Sequence, residues 1–293
     1  MSLWIQQFRI NQWVKNIFVF PPLFFSGLFL CPNAVVNTLA FFFLFCILSS
    51  SMYLFNDLID LKFDRLHPYK KLRPYASGMI SRGQILSAGI ILGISGLSAA
   101  LALNTSVFFI LLAYSLNTLV YSFYLKHKVL ADVLSISFGF MLRFIGGALI
   151  IGVDTSRWFL VCTFSLSLFL AFGKRRAELE SLKEFGDPAG FRKTLGVYTK
   201  ENLDTALSVM NSICILSYLL FVTDPETIQR HRSTLFIYTV PLVVYCLFKY
   251  MYKVQEGTGG GGPVDIIVKD KAFMGAIVLW LLMVLAILTC PHV

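Results

Sequence analysis

The stretch from residue 40 to residue 65 joins an apolar run directly to a cluster of carboxylates. It reads AFFFLFCILSSSMYLFNDLIDLKFDR. Together with the residues before it, the apolar part (about 34–55) is long enough to cross a bilayer as a helix. Asp57, Asp60 and Asp64 follow at i, i+3 and i+7, which places them on one helical face. The stretch predicts a membrane helix that carries an acidic face at one end.

The composition excludes a soluble protein. Hydrophobic residues make up 57% of the 293 residues and charged residues 14%, and the mean hydropathy is +0.73. Soluble domains have nearly twice that charged fraction. We therefore predict an all-α polytopic membrane protein, a single domain over 1–293 with nine transmembrane helices in one bundle. The apolar runs lie at about 17–30, 34–55, 84–103, 106–124, 130–152, 157–173, 203–222, 233–252 and 273–290.

The basic residues indicate the orientation of these spans. If the N-terminus is cytoplasmic, 21 of the 25 Lys and Arg residues fall on inside segments and three on outside turns. This asymmetry favours a cytoplasmic N-terminus and an external C-terminus. The longest connections, 56–83 and 174–202, then form cytoplasmic cap loops. The net charge of +9 reflects this sidedness, so we expect the lipid bilayer as a partner and no nucleic acid.

The acidic face suggests a metal site. Three carboxylates at a helix end repel each other, and partial desolvation makes their charges costly. Mg²⁺ prefers oxygen ligands and usually binds together with substrate phosphates. Asn56, Asp57, Asp60 and Asp64 are therefore candidate Mg²⁺ ligands, and the three aspartates are candidate catalytic residues. The alternative is a solvated helix end with ordinary surface charges.

Two motifs carry a family resemblance. The pattern Asn56-Asp57-x-x-Asp60-x-x-x-Asp64, followed by Arg73-Pro74-x-x-Ser77-Gly78, resembles the first signature of the UbiA superfamily of intramembrane prenyltransferases. The resemblance covers nearly the whole chain. It implies a nine-helix bundle, a Mg²⁺ cofactor and a diphosphate substrate bound at the cytoplasmic side.

The second long connection departs from the usual pattern of that superfamily. Typical members carry a second Asp-rich motif after the sixth span, whereas 174–202 lacks any D-x-x-x-D and opens with Lys174-Arg175-Arg176. This run resembles the phosphoribosyltransferase branch, as do Arg9-x-x-Gln12-Trp13-x-Lys15-Asn16 and Phe140–Ala148. The branch implies Mg²⁺-dependent transfer of 5-phosphoribose from 5-phosphoribosyl 1-diphosphate to a polyprenyl, decaprenyl-type phosphate, with inversion at C1. The resemblance also implies a role in cell-wall biosynthesis and a place in the bacterial plasma membrane.

Cations and polar groups near the acidic face are candidates for substrate binding. Arg143, deep in a span, is expected to contact phosphate, or else to pair with a buried acid such as Asp132. Lys15 could equally snorkel to the interface, and Tyr121 could belong to the aromatic belt. The candidates are Gln12, Lys15, Asn16, Lys62, Arg65, Arg73, Tyr121, Lys126, Arg143, Lys174, Arg175 and Arg176.

Two other functions stay open at this point. One is a UbiA-type prenyltransferase that uses a prenyl diphosphate donor and an aromatic acceptor, although the missing second Asp-rich motif counts against it. The other is a polytopic transporter, which would place polar residues throughout the midplane. The chain length of the lipid and assembly into a homo-oligomer also stay open.

Overall fold

A computed structural model of the chain describes residues 3–183, 185–257, 266 and 270–289. These residues form α-helices and short 3₁₀ helices, which confirms the all-α class. The α-helices are α1 (Leu3–Gln7), α2 (Pro21–Phe25), α3 (Pro32–Leu66), α4 (Arg82–Leu103), α5 (Thr105–Phe123), α6 (Ala131–Ile150), α7 (Arg157–Lys183), α8 (Pro188–Phe191), α9 (Lys200–Thr223), α10 (Pro225–His231), α11 (Val240–Gln255) and α12 (Lys271–Thr289).

Eight helical segments in the described part of the chain are long and apolar enough to cross a membrane. They are α3, α4, α5, α6, α7, α9, α11 with the preceding 3₁₀ turn, and α12. The predicted count of nine is therefore not confirmed. The difference lies in the first apolar run, 17–30, where Pro21 and Pro22 lack the amide hydrogens that a continuous helix needs.

That first run is built from short pieces instead of the single transmembrane helix that we predicted. A 3₁₀ helix spans Ile10–Val19, α2 follows, and a second 3₁₀ turn spans Leu28–Leu30. Trp13 Nε1 donates to Ser50 Oγ at 3.0 Å, and the ring of Phe20 lies 5.3 Å from that of Phe42. The later residue of the segment, Phe20, thus contacts the earlier residue of α3, Phe42. The segment and α3 therefore run antiparallel.

Both predicted cap loops, 56–83 and 174–202, begin as helix. Residues 56–66 continue α3, and residues 174–183 continue α7. On α7 the extension contains ion pairs one turn apart, including one between Arg176 Nη1 and Glu180 Oε2 at 2.9 Å. Such i,i+4 pairs stabilise a helix after it leaves the apolar region. Each cap loop thus begins with a helical extension, as the spacing of Asp57, Asp60 and Asp64 had predicted for the first one.

The chain separates into two compact units, Met1–Asp154 and Thr155–Val293. In the first, α3 packs against α4, α5, α6 and the N-terminal segment, with Phe41, Phe45 and Leu111 fully buried in the core. In the second, α7 pairs with α9, and α11 packs on both. A single domain over the whole chain stays a prediction.

Candidate active site

Asp57 and Asp64 meet around the guanidinium of Arg73. Arg73 Nη1 lies 3.2 Å from Asp57 Oδ1 and also donates to Asp64 Oδ2. Arg9 also donates to Oδ1 of Asp57, and Asp57 is only 2% exposed. Burial lowers the pKa of Arg73, and the neighbouring Arg9 lowers it further, while the two carboxylates oppose that shift. The cluster therefore combines two guanidinium groups and two carboxylates in a poorly hydrated place.

Asp60 and Asn56 connect α3 to the end of α5 and the turn after it. Lys126, buried in the 3₁₀ turn Leu125–His127, forms an ion pair with Asp60. Ser122 Oγ near the end of α5 donates to Asn56 Oδ1 at 3.0 Å. The predicted ligand set Asn56, Asp57, Asp60 and Asp64 thus lies on one helix, as expected from its spacing, and every member has a polar partner.

Sequence reasoning missed Gln7 and overlooked the direct role of Arg9. Gln7 Nε2 donates to Asp57 Oδ2 at 2.7 Å, and Gln7 Oε1 accepts from the backbone amide of Tyr75 at 3.1 Å. Arg9 has a left-handed backbone, φ 53°, and its guanidinium lies over the ring of Tyr53. Arg9 opens the N-terminal motif, which was a signal. For Gln7 the sequence offers no signal.

The oxygen donors of this site are better suited to a Mg²⁺–diphosphate complex than to a Mg²⁺ ion alone. Three carboxylates and one amide are the ligand types that Mg²⁺ prefers. No group of three or more His, Cys, Asp or Glu side chains shares one metal-binding point among the residues that the structure describes. Each carboxylate faces a cation instead. A bare ion would be repelled by those cations, whereas a metal–diphosphate complex would give them new anionic partners.

Arg143 forms a separate buried cluster that joins three elements. Its Nε donates to Asn16 Oδ1 at 2.8 Å, its Nη1 to the Gly139 carbonyl at 2.8 Å, and its Nη2 to Tyr114 Oη at 3.2 Å. The residue is 5% exposed. These three acceptors are neutral, and contact of Arg143 with a phosphate stays a prediction.

The other candidates in the first unit are more scattered. The structure brings Arg73 and Lys126 to the carboxylates. Lys62 and Arg65 are exposed on α3, and Arg65 Nε donates to the Ala76 carbonyl at 3.3 Å. The half-buried candidates are Gln12, Lys15 and Tyr121.

The three cations on α7 differ from one another. Arg175 and Arg176 are fully buried. Arg175 pairs with Glu178, and Arg176 Nε lies 3.0 Å from Asp204 Oδ1. The side chain of Lys174 is more accessible, and its Nζ lies 3.9 Å from a Glu178 carboxylate oxygen. Arg176 therefore joins α7 to α9, whereas Arg175 pairs within α7, and phosphate binding by the run stays a prediction.

These features define an integral membrane protein with a carboxylate–cation site at the end of a long helix. The model of the UbiA prenyltransferase family matches residues 19–261. The chain belongs to the UbiA prenyltransferase family.

Curated relatives and a solved structure agree with that assignment. A decaprenyl-phosphate phosphoribosyltransferase from Corynebacterium glutamicum is 30% identical, covering 98% of this chain and 87% of the relative. The enzyme of the same name from Mycolicibacterium smegmatis is 29% identical, covering 94% and 89%. A UbiA homologue from Archaeoglobus fulgidus, solved with DMAPP and Mg²⁺, has a TM-score of 0.70 at 19% identity, covering 99% of this chain and all of that one. This structural match confirms the fold.

Proposed function

We propose that this chain transfers 5-phosphoribose from 5-phosphoribosyl 1-diphosphate to a polyprenyl phosphate of the decaprenyl type and releases diphosphate. The relatives with this activity in their names cover nearly the whole chain, which supports the assignment. The structural observation that carries it is the pairing of every carboxylate on the acidic face with a cation. A site for a donor with phosphates at both ends needs metal ligands and phosphate-binding cations together.

The acidic face would hold the metal, and its cations would hold the donor. Asn56, Asp57, Asp60 and Asp64 are the residues that would bind Mg²⁺. Mg²⁺ would supply positive charge for the diphosphate leaving group. With the carboxylates as ligands of the metal, Arg9, Arg73 and Lys126 would be the groups that donate to phosphate oxygens, where charge-assisted hydrogen bonds are strong. The fold of the metal-bound UbiA homologue supports this cofactor.

The chemistry at the sugar needs no general base. A phosphate oxygen of the lipid attacks C1 while the bond from C1 to the diphosphate oxygen breaks, and the acceptor is already an anion. Attack opposite the leaving group inverts the configuration at C1. The chain's part is to orient two anionic substrates and to stabilise the departing charge. We assign the remaining substrate contacts to Gln12, Lys15, Asn16, Lys62, Arg65, Tyr121, Arg143, Lys174, Arg175 and Arg176.

We also propose that the reaction takes place at the cytoplasmic face of the bacterial plasma membrane. The excess of Lys and Arg on the segments around the acidic face supports this orientation. The donor is water-soluble and would enter from that side, whereas the polyprenyl tail would stay in the bilayer.

The test is an assay of the purified protein in detergent with radiolabelled 5-phosphoribosyl 1-diphosphate and polyprenyl phosphate, with and without Mg²⁺. We expect label in the lipid phase only with Mg²⁺, and a product mass equal to polyprenyl phosphate plus phosphoribose. A parallel reaction contains labelled prenyl diphosphate and an aromatic acceptor. Turnover in that reaction alone would replace the proposal with aromatic prenylation, and uptake into vesicles without turnover would favour a transporter.

A further inference from the structure

We propose that Gln7 is a positioning residue that fixes the orientation of the Asp57 carboxylate and the position of the Arg73 loop at the same time. This inference deepens the proposed function and rests on it for the identity of the natural ligand. Gln7 is the last residue of α1 and is 1% exposed. Both ends of its amide are used, and both partners belong to the candidate active site.

The two oxygens of Asp57 have partners of different kinds. Oδ1 accepts from Arg9 and Arg73, which are cations. Oδ2 accepts from the neutral amide of Gln7 at 2.7 Å. A phosphate ligand attracts the two cations and can draw them away from Oδ1. It attracts the amide far less, so Gln7 keeps Oδ2 in place and Oδ1 becomes the oxygen that is open to a ligand.

The other end of Gln7 sets the position of the loop that carries Arg73. The backbone amide of Tyr75 donates to Gln7 Oε1 at 3.1 Å. Tyr75 is buried, lies two residues after Arg73, and packs in a cluster with Leu54 and Ile80. One side chain therefore determines the spacing between a carboxylate on α3 and the guanidinium opposite it.

The N-terminal segment is attached to α3 without help from Gln7. Ser50 Oγ donates to the Phe8 carbonyl at 2.9 Å, and Trp13 Nε1 donates to Ser50 Oγ. A substitution of Gln7 should thus leave the segment in place and disturb the carboxylate. Outer groups that orient metal ligands typically affect metal affinity or activity by about 10–100-fold.

The experiment compares Gln7→Met, which has a similar shape and no amide, with Gln7→Glu and with Gln6→Met. Gln6 is the neighbouring residue of the same type, and it is exposed. At pH 8, Glu keeps an acceptor for the Tyr75 amide but cannot donate to Asp57. Mn²⁺ affinity is measured by electron paramagnetic resonance with inorganic diphosphate present, kcat and KM are measured with the donor, and thermal unfolding in detergent reports folding.

We expect Gln7→Met and Gln7→Glu to weaken Mn²⁺–diphosphate binding by about 10–100-fold relative to Gln6→Met. The unfolding midpoint should also fall, because Asp57 loses a buried partner in both variants, but unfolding should stay cooperative. Wild-type Mn²⁺ affinity in Gln7→Met, or its full recovery in Gln7→Glu, would overturn the inference. A lower unfolding midpoint with unchanged Mn²⁺ affinity would also overturn it, because that result describes a purely structural residue. The Mn²⁺–diphosphate measurement does not require turnover. If the wild-type protein makes no lipid product, the proposed function fails while this measurement still decides the role of Gln7.

Discussion

Asp57 receives two guanidinium groups and one amide, and Asp64 shares one of those guanidinium groups. The two carboxylates are buried and the two guanidinium groups half-buried, so each charge depends on its partners more than a surface ion pair does. Removal of one carboxylate leaves Arg73 short of a partner and deprives the proposed metal of a ligand. At the residue scale, the site is therefore a set of interdependent charges.

We expect Asp57→Asn and Asp64→Asn each to lower kcat/KM by more than the roughly 10–100-fold typical of outer-sphere changes, because each would remove the negative charge of a direct ligand. The assay is transfer of labelled phosphoribose to lipid. Glu226→Gln, at an exposed position on α10, is the matched control and should keep wild-type activity. Near-normal turnover in both aspartate variants would remove these residues from the reaction.

His231 at the end of α10 should make the stability of the protein depend on pH. Burial lowers its pKa to about 4, and Arg230 contributes to the same shift. In the unfolded chain the imidazole of His231 has its ordinary pKa near 6.5. Between about pH 6.5 and 4 the unfolded state therefore binds a proton that the folded state does not, and the folded state loses stability as the pH falls through this range. The thermal midpoint in detergent should fall over this range, and His231→Gln should reduce the fall. An unchanged pH slope in His231→Gln would contradict this assignment.

At the scale of elements, the contact between α6 and the N-terminal segment requires glycine. A Cβ at Gly147 would overlap the carbonyl oxygen of Val19, a backbone atom that cannot rotate away. We expect Gly147→Ala to cost about 1–3 kcal/mol, as overpacking usually does. Gly275→Ala in α12 is the control, because no atom lies within 4 Å of its added Cβ. Equal unfolding midpoints for the two variants would contradict the close packing.

The elements also show how far the sequence could predict this molecule. The spacing of Asp57, Asp60 and Asp64 depends only on local helix geometry, and all three lie in α3 as expected. The bond between Gln7 and Asp57 joins residues 50 positions apart, so no local pattern could reveal it. The broken first segment was missed for a different reason. Hydropathy does not distinguish a 3₁₀ helix from an α-helix.

For the whole molecule, the first segment decides the side on which the chain ends. If residues 10–30 cross the membrane beside α3, the eight other spans place the two termini on opposite sides. We expect a phosphatase fused after Thr289 to be active and a fluorescent protein at the same point to be dark. Fusions in 67–73 and 153–156 provide the inside and outside controls. A C-terminus on the inside would show that the first segment does not cross.

The helix α3 is one continuous rod of 35 residues, about 52 Å long at 1.5 Å per residue. The direction in which the acidic face points is therefore fixed relative to the apolar face, because no hinge separates the two parts of α3 in the described structure. An inserted residue would turn one part against the other by about 100°. Either the carboxylates would leave their cations, or the apolar face would leave its neighbours. The number of residues between Phe41 and Asp57 is therefore fixed, because an insertion or a deletion of a single residue would break one of the two sets of contacts.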